Sequence, residues 1–172
     1  MNFSIAAIIS RLLAPRHELS CSWRTWRRLL KGLRERGRSR SRESGAFLLG
    51  HRHNGRARVI DFVLYDDIDP RCLDTGIVRF NGQHFGRLWE LCEKRKLTVV
   101  ADIHVHPGGV GQSDSDRAYP MISRSGHVAL ILGSFAAAPV RRGEVGIYRY
   151  KGSKLWDVIP TRRRKRFLHI GL

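Results

Sequence analysis

The sequence is poor in cysteine and contains no long hydrophobic run. Its 172 residues include three cysteines, Cys21, Cys72 and Cys92, which lie far apart and form no Cys-x-x-Cys pair. This spacing argues against a disulfide framework and against a cysteine-rich structural zinc site, so we expect a reducing, cytoplasmic environment. No apolar run approaches the roughly 18 to 20 residues that a membrane-spanning helix needs, and we expect no membrane span.

Acidic residues are also scarce, because 15 Asp and Glu face 32 Lys and Arg, which gives a formal net charge of +17. The excess lies at the two ends of the chain. Residues 1–42 hold 11 basic and 2 acidic residues, and residues 161–172 hold 5 basic and none acidic. Such ends are suited to nucleic acid, to an anionic lipid surface or to an acidic protein partner, and solubilising charge explains them equally well.

The hydrophobic pattern predicts a single α+β domain with a largely β core. An amphipathic N-terminal segment, 1–15, precedes this domain, and a basic C-terminal tail, 161–172, follows it. Helical spacing of apolar residues predicts helices over 23–36 and about 83–96. Strands are expected at 17–22, 43–50, 58–67, 97–106, 127–136, 144–152 and 154–160.

The most informative stretch is HVHPGGVGQSDSD, residues 104–116. Side chains alternate along a strand, so His104 and His106 point the same way, with Cα atoms about 6.5 to 7 Å apart. Pro107 ends the strand, and Gly-rich sequence follows it. Ser113 then suits a helix N-cap, which would return Asp116 to the histidines as a third metal ligand. Three protein ligands leave a fourth position for water, as in catalytic zinc sites.

Each part of this pattern has an alternative interpretation. A second His-x-His pair, His51 and His53, lies in a predicted hairpin turn with no acidic partner nearby, and we do not expect it to bind metal. Ser-x-x-Asp alone can be a helix cap, and Glu43 alone can be a charged residue that ends a linker. Asp102 shares the face of the two histidines and is a candidate to support a metal ligand. His127 opens an apolar strand and is expected to be a core or edge histidine.

The combination of Glu43, His-x-His-Pro and Ser-x-x-Asp in this order resembles the JAMM (MPN+) metalloprotease family. The resemblance covers roughly residues 16–160 and extends to the order of the predicted strands and helix. It implies a single JAMM/MPN-like, cytidine-deaminase-like domain over residues 16–160, with a mixed β-sheet core flanked by helices. Members of this family are zinc isopeptidases that cut after the C-terminal tail of ubiquitin or ubiquitin-like proteins, and some prokaryotic relatives process ubiquitin-like or sulfur-carrier proteins.

The resemblance implies a role for each motif residue. His104, His106 and Asp116 would bind one Zn²⁺ per chain, Glu43 would be the general base, and Ser113 would help to stabilise the tetrahedral oxyanion. One departure concerns Ser113, because six residues separate it from His106 where the family usually has seven. Ser115 is the nearest alternative hydroxyl.

The resemblance also implies partners and a setting. The substrate would be a ubiquitin-like protein or its conjugates, the matching conjugation enzymes would be partners, and the setting would be a bacterial ubiquitin-like conjugation system of the kind that serves in antiphage defence. Two alternatives remain open at the level of sequence. One is a non-catalytic scaffold of the same fold, and the other is a nucleic-acid-associated protein that uses its basic ends.

Overall fold

One eight-stranded mixed sheet organises the protein, whose computed structural model describes residues 17–37, 41–137 and 140–171. The strands are β1 (Leu19–Ser22), β2 (Gly45–His53), β3 (Arg56–Leu64), β4 (Thr98–Val105), β5 (Val128–Leu132), β6 (Gly146–Gly152), β7 (Leu155–Val158) and β8 (Leu168–Gly171). Their order across the sheet is β7-β6-β5-β4-β2-β3-β1-β8, with parallel pairing for β4–β5, β1–β3 and β1–β8. The α+β class with a mixed sheet agrees with the sequence prediction.

Five helices accompany the sheet in the described residues. They are α1 (Trp23–Arg36), α2 (Tyr65–Ile68), α3 (Phe85–Arg95), α4 (Asp114–Ala118) and α5 (Thr161–Phe167), with 3-10 turns at Gly82–His84, Ser134–Ala136 and Arg142–Glu144. The sequence predicts α1 with the bounds it has, and α3 within two residues. In the ranges that the structure describes, no helix combines the length and hydropathy needed to span a bilayer.

The larger core lies between the sheet and α1. Helix α1 buries Trp26, Leu29, Leu30 and Leu33 at i, i+3, i+4 and i+7, which is the apolar stripe of a helix packed on one side. Ser22 caps its first turn by accepting the Thr25 N–H at 3.0 Å. These contacts fix α1 against the same face of the sheet to which the inward side chains of β4 and β5 belong.

A second core covers the opposite face of the sheet, under α3 and the segment 65–80. Its centre is a group of aromatic rings in which Phe47 lies 4.7 Å from Tyr65 and 5.3 Å from Phe80, measured between ring centroids. Phe85 and Leu88 close the group from α3. This core shapes one wall of the site described below.

The predicted hairpin forms with longer strands and an earlier end. Strands β2 and β3 meet at Asn54 and Gly55, whose φ angles of 47° and 74° are those of a type I′ turn. Residues 65–67, expected to continue the second strand, instead begin α2. Asp66 and Asp67 bind Arg36 of α1 at 2.7 and 2.8 Å, so the chain leaves the sheet at Leu64.

Residues 161–171 correct the predicted domain boundary at residue 160. They form α5 and β8, and β8 pairs in parallel with β1, with Leu19 opposite Leu168. Phe167 and Leu168 are 3% and 1% exposed in the larger core. In the sequence, five consecutive basic residues give this segment the composition of a charged tail, although the short apolar stretch FLHI that follows them anchors it. The amphipathic segment expected at 1–15 lies outside the described residues.

Because Phe167 is buried, its truncation should destabilise the whole domain. We expect Phe167→Ala to lower the free energy of unfolding by about 3 to 5 kcal/mol, the usual cost of removing a core ring. Urea unfolding of the full chain measures this change. Arg163→Ala, at an exposed position on the same helix, should change it by less than about 0.5 kcal/mol, and equal effects would show that 161–171 is not part of the core.

Candidate metal centre

Strand β4 positions the first histidine of the site. It lies at the middle of the sheet, antiparallel to β2 and parallel to β5. Ile103 and Val105 point into the larger core and are fully buried. Asp102 and His104 therefore project from the opposite face, where both are buried.

His106 follows the last residue of β4 and is fixed by its main chain. Its N–H donates to Leu132 O at 2.8 Å, and its carbonyl accepts the Phe135 N–H at 2.9 Å. The side chains of His104 and His106 face each other, with Nε2 atoms 2.9 Å apart. The two imidazoles thus converge as the alternation predicts.

Helix α4 returns Asp116 to the histidines. Ser113 is its N-cap, as the sequence predicts, and accepts the Asp116 N–H at 3.1 Å while the Ser113 N–H donates to Asp116 Oδ2 at 2.7 Å. This reciprocal cap holds the carboxylate with Oδ1 3.3 Å from His104 Nε2 and Oδ2 3.2 Å from His106 Nε2.

The three side chains form a group that could hold a metal ion. The ligand atoms of His104, His106 and Asp116 all lie within 4.8 Å of one another. Two imidazole nitrogens and one carboxylate oxygen are the donors of a three-ligand catalytic metal site. Among the His, Cys, Asp and Glu side chains of the described residues, these three are the ones that lie closely enough together to hold an ion.

The charges of this set favour ion pairing in the metal-free protein. Burial alone would lower the pKa of His104, but the hydrogen bond and charge of Asp116, with the charges of Asp102 and Glu43, raise it above 6.5. Burial would raise the pKa of Asp116, yet the hydrogen bonds from His104 and His106 and the charge of His104 hold it far below 3.8. Because a metal ion binds the neutral imidazole, the raised pKa of His104 means that protons compete with a metal ion at this residue.

Glu43 lies beside the triad but not within it. It precedes β2, which begins at Gly45 rather than at 43 as predicted, because the Glu43 N–H donates to Gly76 O at 2.8 Å instead of to the sheet. Its Oε2 accepts the Val78 N–H at 3.2 Å. Glu43 lines the same cavity of about 710 Å³ as His104 and Asp116, and we refer to this space as the large cavity.

The two candidate hydroxyls are both in the large cavity. Ser113 and Ser115 line it and are exposed. Ser113 Oγ donates to Asp116 Oδ2 at 2.8 Å, so this hydroxyl supports a metal ligand in the present arrangement. The second His-x-His pair, His51 and His53, is exposed at the end of β2 and does not belong to the ligand set.

A buried polar network next to the triad goes beyond what the sequence indicates. Asp102 accepts a hydrogen bond from Tyr65 Oη at 3.0 Å, and its other oxygen lies 2.6 Å from His127 Nε2. Burial, followed by the charge of Asp102, raises the pKa of Tyr65 well above 10, so the phenol keeps the proton that it donates. Asp102 of β4 pairs with Ala129 of β5. His127 lies two residues before Ala129, so its side chain projects from the same face of the sheet as that of Asp102.

The Tyr65 ring reaches this network because position 45 has no side chain. A Cβ on Gly45 would lie 2.2 Å from Tyr65 Cε2, and Gly45 is paired with His104 in the β2–β4 register. Of the three residues in this network, sequence spacing indicates only Asp102, which lies two residues before His104 on the same strand. No local pattern indicates that Tyr65 and His127 join it.

The remaining wall of the large cavity is mainly apolar. Ile77 and Tyr119 contribute to it with 42% and 77% of their surface exposed. The other apolar lining residues are Val78, Phe80, Phe85, Pro120, Met121, Ala129 and Trp156.

One comparison concerns the amino-acid sequence. Over 105 residues the chain is 30% identical to a protein of Sinorhizobium fredii named "Probable metalloprotease y4jG". The match covers 58% of this chain and 65% of that protein, so the chain spans somewhat less than two thirds of its relative. The printed name describes that relative as a probable metalloprotease, and the His-His-Asp group of this chain could hold a metal ion.

A second comparison concerns the fold. The solution structure of protein DSY2949 from Desulfitobacterium hafniense matches with a TM-score of 0.62 over 88% of this chain and 92% of that one, at 15% sequence identity. At this identity the likeness is one of fold. No family model matches the sequence.

Metal binding should depend on the triad and not on the second histidine pair. We expect the full chain to take up about one divalent ion, and His106→Ala to lower the affinity at least about tenfold, since a ligand is lost. Mass-spectrometric metal analysis after dialysis measures both. The matched control His53→Ala should retain the ion, and metal loss in that variant would contradict the assignment.

The buried network should stabilise the fold. We expect His127→Ala to lower the free energy of unfolding by about 3 kcal/mol, because Asp102 then stays buried with one of its two partners missing. Tyr65→Phe keeps the ring over Gly45 and removes one hydrogen bond, so its cost should be smaller, about 1 to 2 kcal/mol. Denaturant unfolding that ranks the two variants in the opposite order would contradict this account.

Proposed function

We propose that the protein is a zinc peptidase of the JAMM (MPN+) type that cleaves after the C-terminal tail of a ubiquitin-like protein. The observation that carries this proposal is the convergence of the His104, His106 and Asp116 ligand atoms within 4.8 Å, beside a cavity that Glu43 also lines. The likeness to a probable metalloprotease supports the hydrolytic part. The substrate part rests on the motif resemblance.

The donor set suits zinc. Two imidazole nitrogens and one carboxylate oxygen match the ligands that Zn²⁺ takes in hydrolytic sites, with one coordination position left open. When bound, the ion supplies Lewis-acid polarisation of the scissile carbonyl and of an attacking water. The Ser113–Asp116 cap keeps the carboxylate turned toward the histidines before any ion binds.

Glu43 is the proposed general base. It lines the large cavity without belonging to the ligand set, which leaves its carboxylate available for proton transfer. The Val78 N–H anchors Oε2. Glu43 takes a proton from the attacking water and passes it to the leaving amine as the carbon–nitrogen bond breaks.

Ser113 is the proposed oxyanion donor. In the present arrangement its hydroxyl donates to Asp116 Oδ2 at 2.8 Å. To stabilise the oxyanion it must turn from Asp116 to the substrate oxygen, while the Ser113 N–H continues to hold the carboxylate. Ser115, which also lines the large cavity, is the alternative donor.

The apolar wall of the large cavity favours an extended peptide. Exposed Ile77 and Tyr119, which line the large cavity together with Trp156, offer surface that a peptide tail can cover. A flexible C-terminal tail can enter such a site as an extended chain. We therefore propose a ubiquitin-like protein or its conjugates as substrate, within a bacterial, cytoplasmic conjugation system of the type used in antiphage defence.

A cleavage assay with Glu43→Gln tests the mechanism. The substrates are ubiquitin-like proteins, each fused through its C-terminal tail to a fluorescent reporter. We expect Glu43→Gln to lower kcat by about 10²- to 10⁴-fold, the usual contribution of a general base. Metal analysis should find the same metal content in this variant as in the unchanged protein.

Glu90→Gln is the matched control, since Glu90 is exposed on α3 and outside the large cavity. It should cleave as the unchanged protein does. Metal-loaded protein that binds the fusions but leaves them intact would favour the non-catalytic scaffold. Equal cleavage of unrelated extended peptides would limit the function to a general peptidase.

A further inference from the structure

The basic C-terminal segment is a fixed surface. Phe167 and Leu168 anchor α5 in the larger core, so the run 162–166 stands at defined positions on a helix. Arg162, Arg163 and Arg166 line a second cavity of about 560 Å³ together with Glu18 and Phe167. None of these residues lines the large cavity.

The turn Arg142–Glu144 extends this surface. Arg164 Nη1 donates to Gly143 O at 3.3 Å, and a Cβ on Gly143 would lie 3.6 Å from Lys165 Cε. Helix α5 and the turn are therefore packed together, which brings Arg141 and Arg142 next to the helix. We define the basic patch as Arg141, Arg142, Arg162, Arg163, Lys165 and Arg166.

Two imidazoles connect the parts of the basic patch. Arg142 Nη1 lies 3.5 Å from His169 Nδ1, and the His169 ring stacks on His17 with centroids 4.7 Å apart. His17 Nδ1 lies 2.8 Å from Arg166 O, so its N–H can donate to that carbonyl. Burial, and then the charges of His17 and Arg142, lower the pKa of His169, which fits a strongly positive surrounding.

The positive charges of the basic patch are not neutralised by salt bridges within the described ranges. None of the six side chains forms a salt bridge there. Of the two nearby carboxylates, Glu18 pairs with Arg149, and Glu144 accepts the backbone N–H of Arg141 at 3.1 Å without forming a salt bridge to the basic patch. Like charges gathered in this way repel one another, and a bound polyanion removes that repulsion.

The composition of the basic patch favours nucleic acid over an acidic protein. Five of its six members are arginines, whose guanidinium groups match phosphate oxygens in a bidentate manner. Protein–protein interfaces need an apolar centre, whereas protein–DNA interfaces are more polar and more positively charged. The large hydrophobic side chains exposed in the described residues all lie outside the basic patch, at Trp23, Ile60, Ile77, Trp89, Tyr119, Leu155 and Val158.

We propose that the basic patch binds the phosphodiester backbone of a nucleic acid. The contacts are with phosphates and carry no sequence preference of their own. This proposal is independent of the peptidase proposal, because the basic patch and the large cavity share no residue.

Fluorescence anisotropy of a labelled 20-base-pair DNA duplex with the full chain, at 50 to 200 mM KCl, tests the proposal. The triple variant Arg162→Gln/Arg163→Gln/Arg166→Gln should weaken binding at least tenfold at the lowest salt. Each lost phosphate contact should reduce the slope of log affinity against log salt by about 0.9, so the variant should lose about 2 to 3 units of slope.

The matched control removes the same charge elsewhere, with Arg24→Gln/Arg27→Gln/Arg56→Gln at exposed positions. It should keep affinity within about threefold and the slope within about 1 unit of the unchanged protein, because its lost cations are not in the basic patch. An equal loss in both variants would overturn the proposal in favour of non-specific net charge.

Two further readouts separate the remaining outcomes. Circular dichroism and the peptidase assay should be unchanged in the patch variant, so loss of DNA binding with intact cleavage supports the basic patch as a separate site. If the unchanged protein binds poly-glutamate but neither duplex DNA nor a 20-nucleotide RNA, the partner is an acidic protein and the proposal fails.

Discussion

The alternation of side chains along β4 is the constraint on which the rest of the structure depends. Ile103 and Val105 are fully buried in the larger core, to which α1 also contributes. This burial fixes the register of β4 between β2 and β5. A slip of one residue would exchange the two faces. The same packing that holds the core together therefore turns Asp102 and His104 toward the large cavity. Asp116 is brought to His104 separately, by the Ser113 cap of α4.

The parts of the site that follow from local sequence could be predicted. Alternation in a strand, a proline at its end and a Ser-x-x-Asp cap each act over a few residues, so they place His104, His106 and Asp116 together before any tertiary contact is known. Glu43 was expected on the strand, but it precedes β2 because its main chain binds Gly76. The metal, the general base and the oxyanion donor remain proposals carried by the motif and by the shared cavity.

The parts that depend on distant contacts could not be predicted. Tyr65 and His127 meet at Asp102 from two other segments, and the empty side of Gly45 admits the Tyr65 ring. In the same way, residues 161–171 have the composition of a solvated tail, and only their pairing with β1 shows that they complete the sheet. Composition describes the whole segment, whereas the fold depends on the apolar pair at 167 and 168.

The parallel pairing of β1 with β8 sets an order on folding. Leu19 lies opposite Leu168, so this pairing joins the two ends of the described chain and closes a much longer loop than a hairpin does. The β2–β3 hairpin closes through Asn54 and Gly55 over a few residues and can form early. We infer that β2, β3 and β4 assemble first and that β1 and β8 dock last, so the strand that carries His104 takes its place before the sheet is complete.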